Sequence, residues 1–253
     1  MTIDKELLAK AEAGDREALY KIGVDYINAS DYVNAAKYWE MCADKGGGMA
    51  AYYLVRDIYG DRWPDAEKFR RMLCKMVDDE LDIGWAKVML GTLLCGSMRQ
   101  FWMQVFDVQA IDGSFFVFPG IGLNPSRGIN LIEEGMKTFE SDYPLKLDWQ
   151  DLDAVACAYR NRFQYVVKGK GHESSLYPPG YQPLEDQRRY LEYLRKAKAA
   201  VASDTVNGSE QIGEWFGLRI SAGEGELASY ETALRAKDRA VEDLKVLASV
   251  MRH

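Results

Sequence analysis

The chain has 253 residues, 47% hydrophobic and 28% charged, with a formal net charge of −7. That length allows a substantial core in one large or two ordinary domains, and the negative balance argues against bulk attraction to nucleic acid or an anionic membrane. No run of about 18 apolar residues occurs, and the opening "MTIDKELLAKAEAGD" is charged from Asp4 without the apolar centre of a secretory signal, so the expected compartment is the cytoplasm.

Self-comparison shows a repeat at an offset of 32. "AGDREALYKIGVDY" from Ala13 lies over "KGGGMAAYYLVRDIY" from Lys45, pairing Gly14 with Gly46, Ala18 with Ala50, Tyr20 with Tyr52, Ile22 with Leu54 and Asp25 with Asp57. "GWAKVMLGTLLCG" adds a third copy, in which Ala86, Leu90 and Gly91 stand for Ala18, Ile22 and Gly23.

A second helical pattern follows each of the first two copies. "DYVNAAKYWEMCADKG" carries Tyr32, Ala35, Ala36, Trp39, Cys42 and Ala43 at spacings of three and four; "PDAEKFRRMLCKMVDD" carries Ala66, Phe69, Leu73, Met76 and Val77. Ala35 and Ala66, 31 apart, are matched, with Pro64 in a first helical turn and Asp65 beside its positive end. A short helical pair cannot bury both faces alone, so such units stack. Close stacking asks for small residues at the crossings, which Ala18, Gly23, Ala50 and Gly91 supply.

These residues resemble the Sel-one-like repeat (SLR) family, a relative of the tetratricopeptide repeat (TPR), with its pattern G-x-x-x-A-x-x-x-L-G-x-x-Y followed by D-x-x-x-A-x-x-W-x-x-x-A-A-x-x-G. Gly14, Ala18, Ile22, Gly23 and Tyr26 match the first half; Asp31, Ala35, Tyr38, Trp39, Ala43 and Gly46 match much of the second. Val55 departs from the glycine position, which implies looser packing there. The resemblance implies an all-α, right-handed α-α solenoid over 1–253 as a single domain, with its better-matched repeats in 1–96.

Residues 97–125 interrupt the scheme as an insertion, longer than ordinary helix connections; its aromatic "SFFVFPGIG" is expected either to cover a core gap or to serve as a binding segment. Degenerate repeats are expected over 126–222. "NPSRGINLIEEGMKTF" reads as a second helix capped by Asn124, and "DWQDLDAVACAYRNRFQYVV" as a first helix capped by Asp148. "PLEDQRRYLEYLRKAKAAVA" and "SEQIGEWFGLRIS" continue the alternation, and 225–252 reads as a long charged capping helix striped by Leu227, Tyr230, Leu234, Val241, Leu244 and Leu247.

Chemistry is sparse. Cys42, Cys74, Cys95 and Cys157 lie far apart in apolar helical patterns and read as reduced core thiols. With only His172 and His253 beside them there is no metal-ligand spacing, and no metal or cofactor is expected. No phosphate-loop, zinc-protease or nucleophile-elbow motif occurs, so the expectation is a non-enzyme. The competing expectation is an enzyme or small-ligand binder, using a pocket between the 97–125 insertion and the 168–183 loop with Arg160, His172 and Glu173 as its polar groups.

By the resemblance, the first helix of each pair lines an inner groove that holds a protein or peptide partner. Its expected contacts are Tyr20, Val24, Tyr52, Arg56, Tyr59 and Trp85, types suited to hot spots. Tyr20 and Tyr52, being equivalent, should lie side by side. Arg160, Arg162, Lys168 and Lys170 form a candidate basic patch for an acidic partner. Family members serve as adaptors, and the resemblance extends to bacterial immunity-type inhibitors of secreted toxins. A membrane role through "SFFVF" lacks adjacent basic residues and is not expected.

Overall fold

The computed structural model describes residues 4–81, 84–108, 110–111, 115–139, 147–167, 182–204 and 210–250. Among these the chain is helical, apart from two-residue strands, β1 (Ala110–Ile111) and β2 (Phe115–Phe116), paired antiparallel. The helices are α1 (Lys5–Glu12), α2 (Arg16–Asn28), α3 (Tyr32–Asp44), α4 (Gly48–Tyr53), α5 (Ala66–Asp78), α6 (Gly84–Leu94), α7 (Gln100–Val105), α8 (Pro125–Phe139), α9 (Trp149–Val167), α10 (Pro183–Ser203) and α11 (Glu210–Val250). α4 continues without a break into a π-helical run, Leu54–Arg62. No helix among the described residues is long and apolar enough to cross a membrane.

Packing follows chain order: α2 on α3, α4 and its π-helical run on α5, α6 on α8, α9 on α10, then α10 on α11. The boundaries follow from caps. Asp15, Asp31 and Asp65 each accept a backbone N–H three residues ahead, at 2.7, 3.1 and 2.9 Å. Asn124 and Asp148 do the same for α8 and α9, at 3.1 and 3.0 Å. α1, α2, α3, α5 and α6 all end on a left-handed residue: Gly14, Ser30, Gly46, Glu80 and Gly96. At each, the next amide bonds back five residues, as in Asp15 N to Lys10 O (3.0 Å) and Ser97 N to Thr92 O (2.9 Å), so the last carbonyls are satisfied within a tight turn. The π-helical run ends at Trp63 without a left-handed residue, its amide likewise bonding back five residues, to Ile58 O at 2.8 Å.

Ala18, Ala50 and Ala86 are each the third residue of their helix, and all are buried. Ile22, Leu54 and Leu90 follow at the seventh place, also buried. Small residues then permit contact with backbone. A Cβ on Gly23 would fall 2.2 Å from Trp39 Nε1, and one on Gly91 would fall 2.5 Å from the Gly128 carbonyl oxygen. The first lets the Trp39 indole lie on α2 and donate to the Tyr20 carbonyl at 3.2 Å. The second brings α6 against α8. α6 is buried at every residue except Lys87 and forms the centre of the core.

Several expectations need correction. The helix caps align Asp31 with Asp65, so Ala35 corresponds to Phe69 rather than Ala66, and Pro64 precedes the cap instead of entering the first turn. The slip arises one helix earlier. α2 has 13 residues, whereas its counterpart has six in α4 and nine in the π-helical run, and the wider winding takes up the surplus. Val55, expected to loosen packing, is fully buried within that run.

The separate capping helix over 225–252 is also absent. Glu210–Val250 is one helix of 41 residues, and Gly223 marks a close approach, not a break: a Cβ there would lie 2.8 Å from Leu191 Cδ2. Residues 232–243 of this helix are exposed.

The insertion folds onto the core. Trp102 and Phe118 are buried and both meet the Phe69 ring, at centroid distances of 4.8 and 5.2 Å. The four cysteines are unpaired; Cys42 and Cys95 are buried, Cys74 and Cys157 half-buried.

Candidate functional site

Between α2 and the π-helical run lies a groove of about 570 Å³. α2 contributes Tyr20, Val24 and Ile27, one face at helical spacing. The opposite wall is Tyr53, at the end of α4, with Asp57, Asp61 and Arg62 from the π-helical run. Trp39 forms the floor, fixed by its bond to the Tyr20 carbonyl, and Tyr32 closes one end. The rings form a continuous set: Trp39 to Tyr53 at 5.4 Å, Trp39 to Tyr20 at 6.3 Å and Tyr20 to Tyr53 at 6.4 Å. A shallower depression sharing Tyr32 and Arg62 continues past the groove's end to the exposed Val33 and Trp63.

Charge in the groove is mostly negative and loosely compensated. Asp57 lies 3.8 Å from Arg56, both half-buried, and Asp61 3.3 Å from Arg62, both exposed to water. Partial burial raises the Asp57 carboxyl above its ordinary value, against the opposing pull of Arg56. The Arg62 guanidinium also stands over the Tyr32 ring, 5.9 Å from its centroid.

Of the expected contacts, the structure places Tyr20 and Val24 in this groove. Tyr52, Tyr59 and Trp85 are core residues instead, 2%, 0% and 1% exposed. Tyr52 does hold the same helical position as Tyr20, but Trp85 seals its ring from one side at 4.9 Å, and Arg56 donates to its hydroxyl. The neighbour of Tyr20 is therefore Tyr53, not Tyr52. Tyr59 is buried with its hydroxyl donating to Glu40. Arg56 is half-buried and spent on Tyr52.

Ile27, Tyr32, Trp39, Tyr53, Asp57, Asp61 and Arg62 were missed in the sequence. The signal available was the tyrosine pair Tyr52–Tyr53, only one member of which the repeat alignment could use.

Two of the four residues of the expected basic patch, Arg160 and Arg162, lie among the described residues. Arg162 forms a two-pronged pair with the buried Asp186 at 2.7 and 2.5 Å, leaving it spent inside the core. Arg160 points elsewhere, its guanidinium 5.4 Å from the Tyr190 ring centroid. Lys168 and Lys170 lie outside the described residues, as do His172, Glu173 and His253, so the 168–183 pocket has only Arg160 among its expected polar groups on view.

A second charged cluster lies at the start of α9. Arg99 pairs with Asp148 at 2.6 Å and with Asp151 at 3.5 Å. Asp148 and Asp151 cap α9 reciprocally, Asp148 accepting from the Asp151 amide at 3.0 Å and Asp151 from the Asp148 amide at 3.3 Å. Burial pushes the Asp151 carboxyl up to about 6, against the opposing charge of Arg99. The cluster is packed and joined to the insertion through the Arg99 guanidinium, 5.4 Å from the Trp102 centroid.

Among the described residues no three His, Cys, Asp or Glu side chains are placed to hold a metal ion. Comparison with protein-family models, curated proteins and solved structures finds no match for this chain.

Proposed function

We propose that the chain is a non-catalytic interaction scaffold that holds a protein or peptide partner in the groove between α2 and the π-helical run. In this reading the helical pairs form a right-handed α-α solenoid of the Sel-one-like kind, and its inner face is open at the first two units. Support for the solenoid comes from packing in chain order and from the buried alanines recurring at the third helical position.

The observation that carries the function is the contrast between Tyr20 and Tyr52. Both occupy the same place in their helices, yet Tyr20 lines an open groove with Tyr32 and Tyr53 while Tyr52 is sealed. Aromatic side chains left at the wall of a groove combine apolar area with polar handles, and so suit a partner.

The test is affinity capture from native lysate with wild type and a Tyr20→Ala/Tyr53→Ala variant whose folding is verified by circular dichroism. A partner recovered by wild type and lost by the variant supports the reading. A partner held equally by both places its binding elsewhere and overturns it.

A further inference from the structure

We infer that this groove, taken as the partner site, receives a cationic side chain, a lysine or arginine presented by a protein partner. The groove has the two parts that cation recognition requires. Tyr20 on one wall and Tyr53 on the other offer aromatic rings, which attract cations through their quadrupoles, and Asp57 and Asp61 supply negative charge on the Tyr53 side.

The carboxylates do not suit the alternative occupants. An anionic segment would meet Asp57 and Asp61, and a purely apolar one would bury the weakly held Asp57–Arg56 and Asp61–Arg62 pairs. The chain as a whole carries −7, which speeds the approach of a basic partner.

The molecule also carries its own stand-in. Arg62 already makes both interactions at the groove's end, pairing with Asp61 at 3.3 Å and standing over Tyr32 at 5.9 Å. Its side chain and that of Asp61 are well exposed, so the pair is weakly held, and an incoming cation competes with it on favourable terms. The π-helical run is what supplies Asp57, Asp61 and Arg62 to one groove.

This assignment rests on the groove being the partner site, and the experiment separates the two. An N-acetylated, amidated tetralysine peptide is titrated into the full chain while the Trp39 indole N–H is followed by NMR, its signal assigned by Trp39→Phe. A tetraglutamate peptide is the control.

The expected result is a saturable shift with tetralysine and none with tetraglutamate. Affinity falls about tenfold or more in Asp57→Asn/Asp61→Asn and falls again in about 0.5 M NaCl. Arg62→Ala, which removes the internal competitor without touching either carboxylate, raises the affinity.

No response to tetralysine, an equal response to both peptides, or unchanged affinity in both variants would overturn the assignment. A native partner lost by Tyr20→Ala/Tyr53→Ala but held in full by Asp57→Asn/Asp61→Asn would leave the groove as the partner site and remove the cation from it. A native partner indifferent to the tyrosine pair would remove both.

Discussion

Tyr20 and Tyr52 are the fifth residues of two corresponding helices and meet different fates. Tyr20 lies at the wall of a groove, against Trp39 and Tyr53. Tyr52 lies beneath Trp85, whose indole in turn meets Trp102 of the insertion at 6.2 Å. The helical frame is the same in both; what differs is the cover. Later parts of the chain cover Tyr52 and leave Tyr20 open.

The largest effect should come from removing the anchor of that cover. Phe69 stands where the first pair has Ala35, and its ring meets Trp102, Phe106 and Phe118. Phe69→Ala should cost about 3–5 kcal/mol in urea unfolding. It should also raise solvent exposure at Tyr52, narrowing the difference between the two tyrosines. A loss below 1 kcal/mol would mean that the insertion is held by other contacts.

Gly23 tests the open side. Any Cβ there collides with the Trp39 indole, which must then leave its place on the Tyr20 carbonyl. Gly23→Ala should cost about 1–3 kcal/mol and shift the Trp39 indole N–H signal, while leaving the Tyr52 environment unchanged. An unshifted indole would contradict the floor described here.

The covered side should respond to mild acid through Asp151. The raised carboxyl of Asp151 means that its proton is held more tightly in the folded chain than in the unfolded one. Its contribution to stability is therefore full below the ordinary aspartate range and is lost as pH rises through about 6. Arg99, Asp148 and Arg56 are the charges that face it.

In Asp151→Asn this dependence should vanish, since Asn cannot titrate. The wild-type stability relative to the variant should be more favourable by about 2 kcal/mol at pH 4.5 than at pH 7. Parallel pH profiles for the two proteins would exclude that role for Asp151.

Much of this was legible in the chain. The capping residues Asn124 and Asp148, the apolar faces of the helices and the recurrence of Ala18, Ala50 and Ala86 are local features, written in spacing and residue type. Three things were not. The π winding has no residue signature of its own, so the surplus residues in the second unit appeared as a false pairing of Ala35 with Ala66. Gly223 looks the same in a sequence whether it breaks a helix or admits a neighbour. Which tyrosine is sealed depends on Trp85 and Trp102, the latter 50 residues away, and no repeat pattern carries that information.

Hydroxyl-radical footprinting read by mass spectrometry, with and without the tetralysine peptide, tests the central claim most directly. The account predicts oxidation at Tyr20, Tyr32 and Tyr53 that the peptide suppresses, and silence at Tyr52, Tyr59 and Trp85 in both states. Oxidation of Tyr52 and Trp85 at the rate of Tyr20, or protection by the peptide at those residues and not at Tyr20, would contradict it.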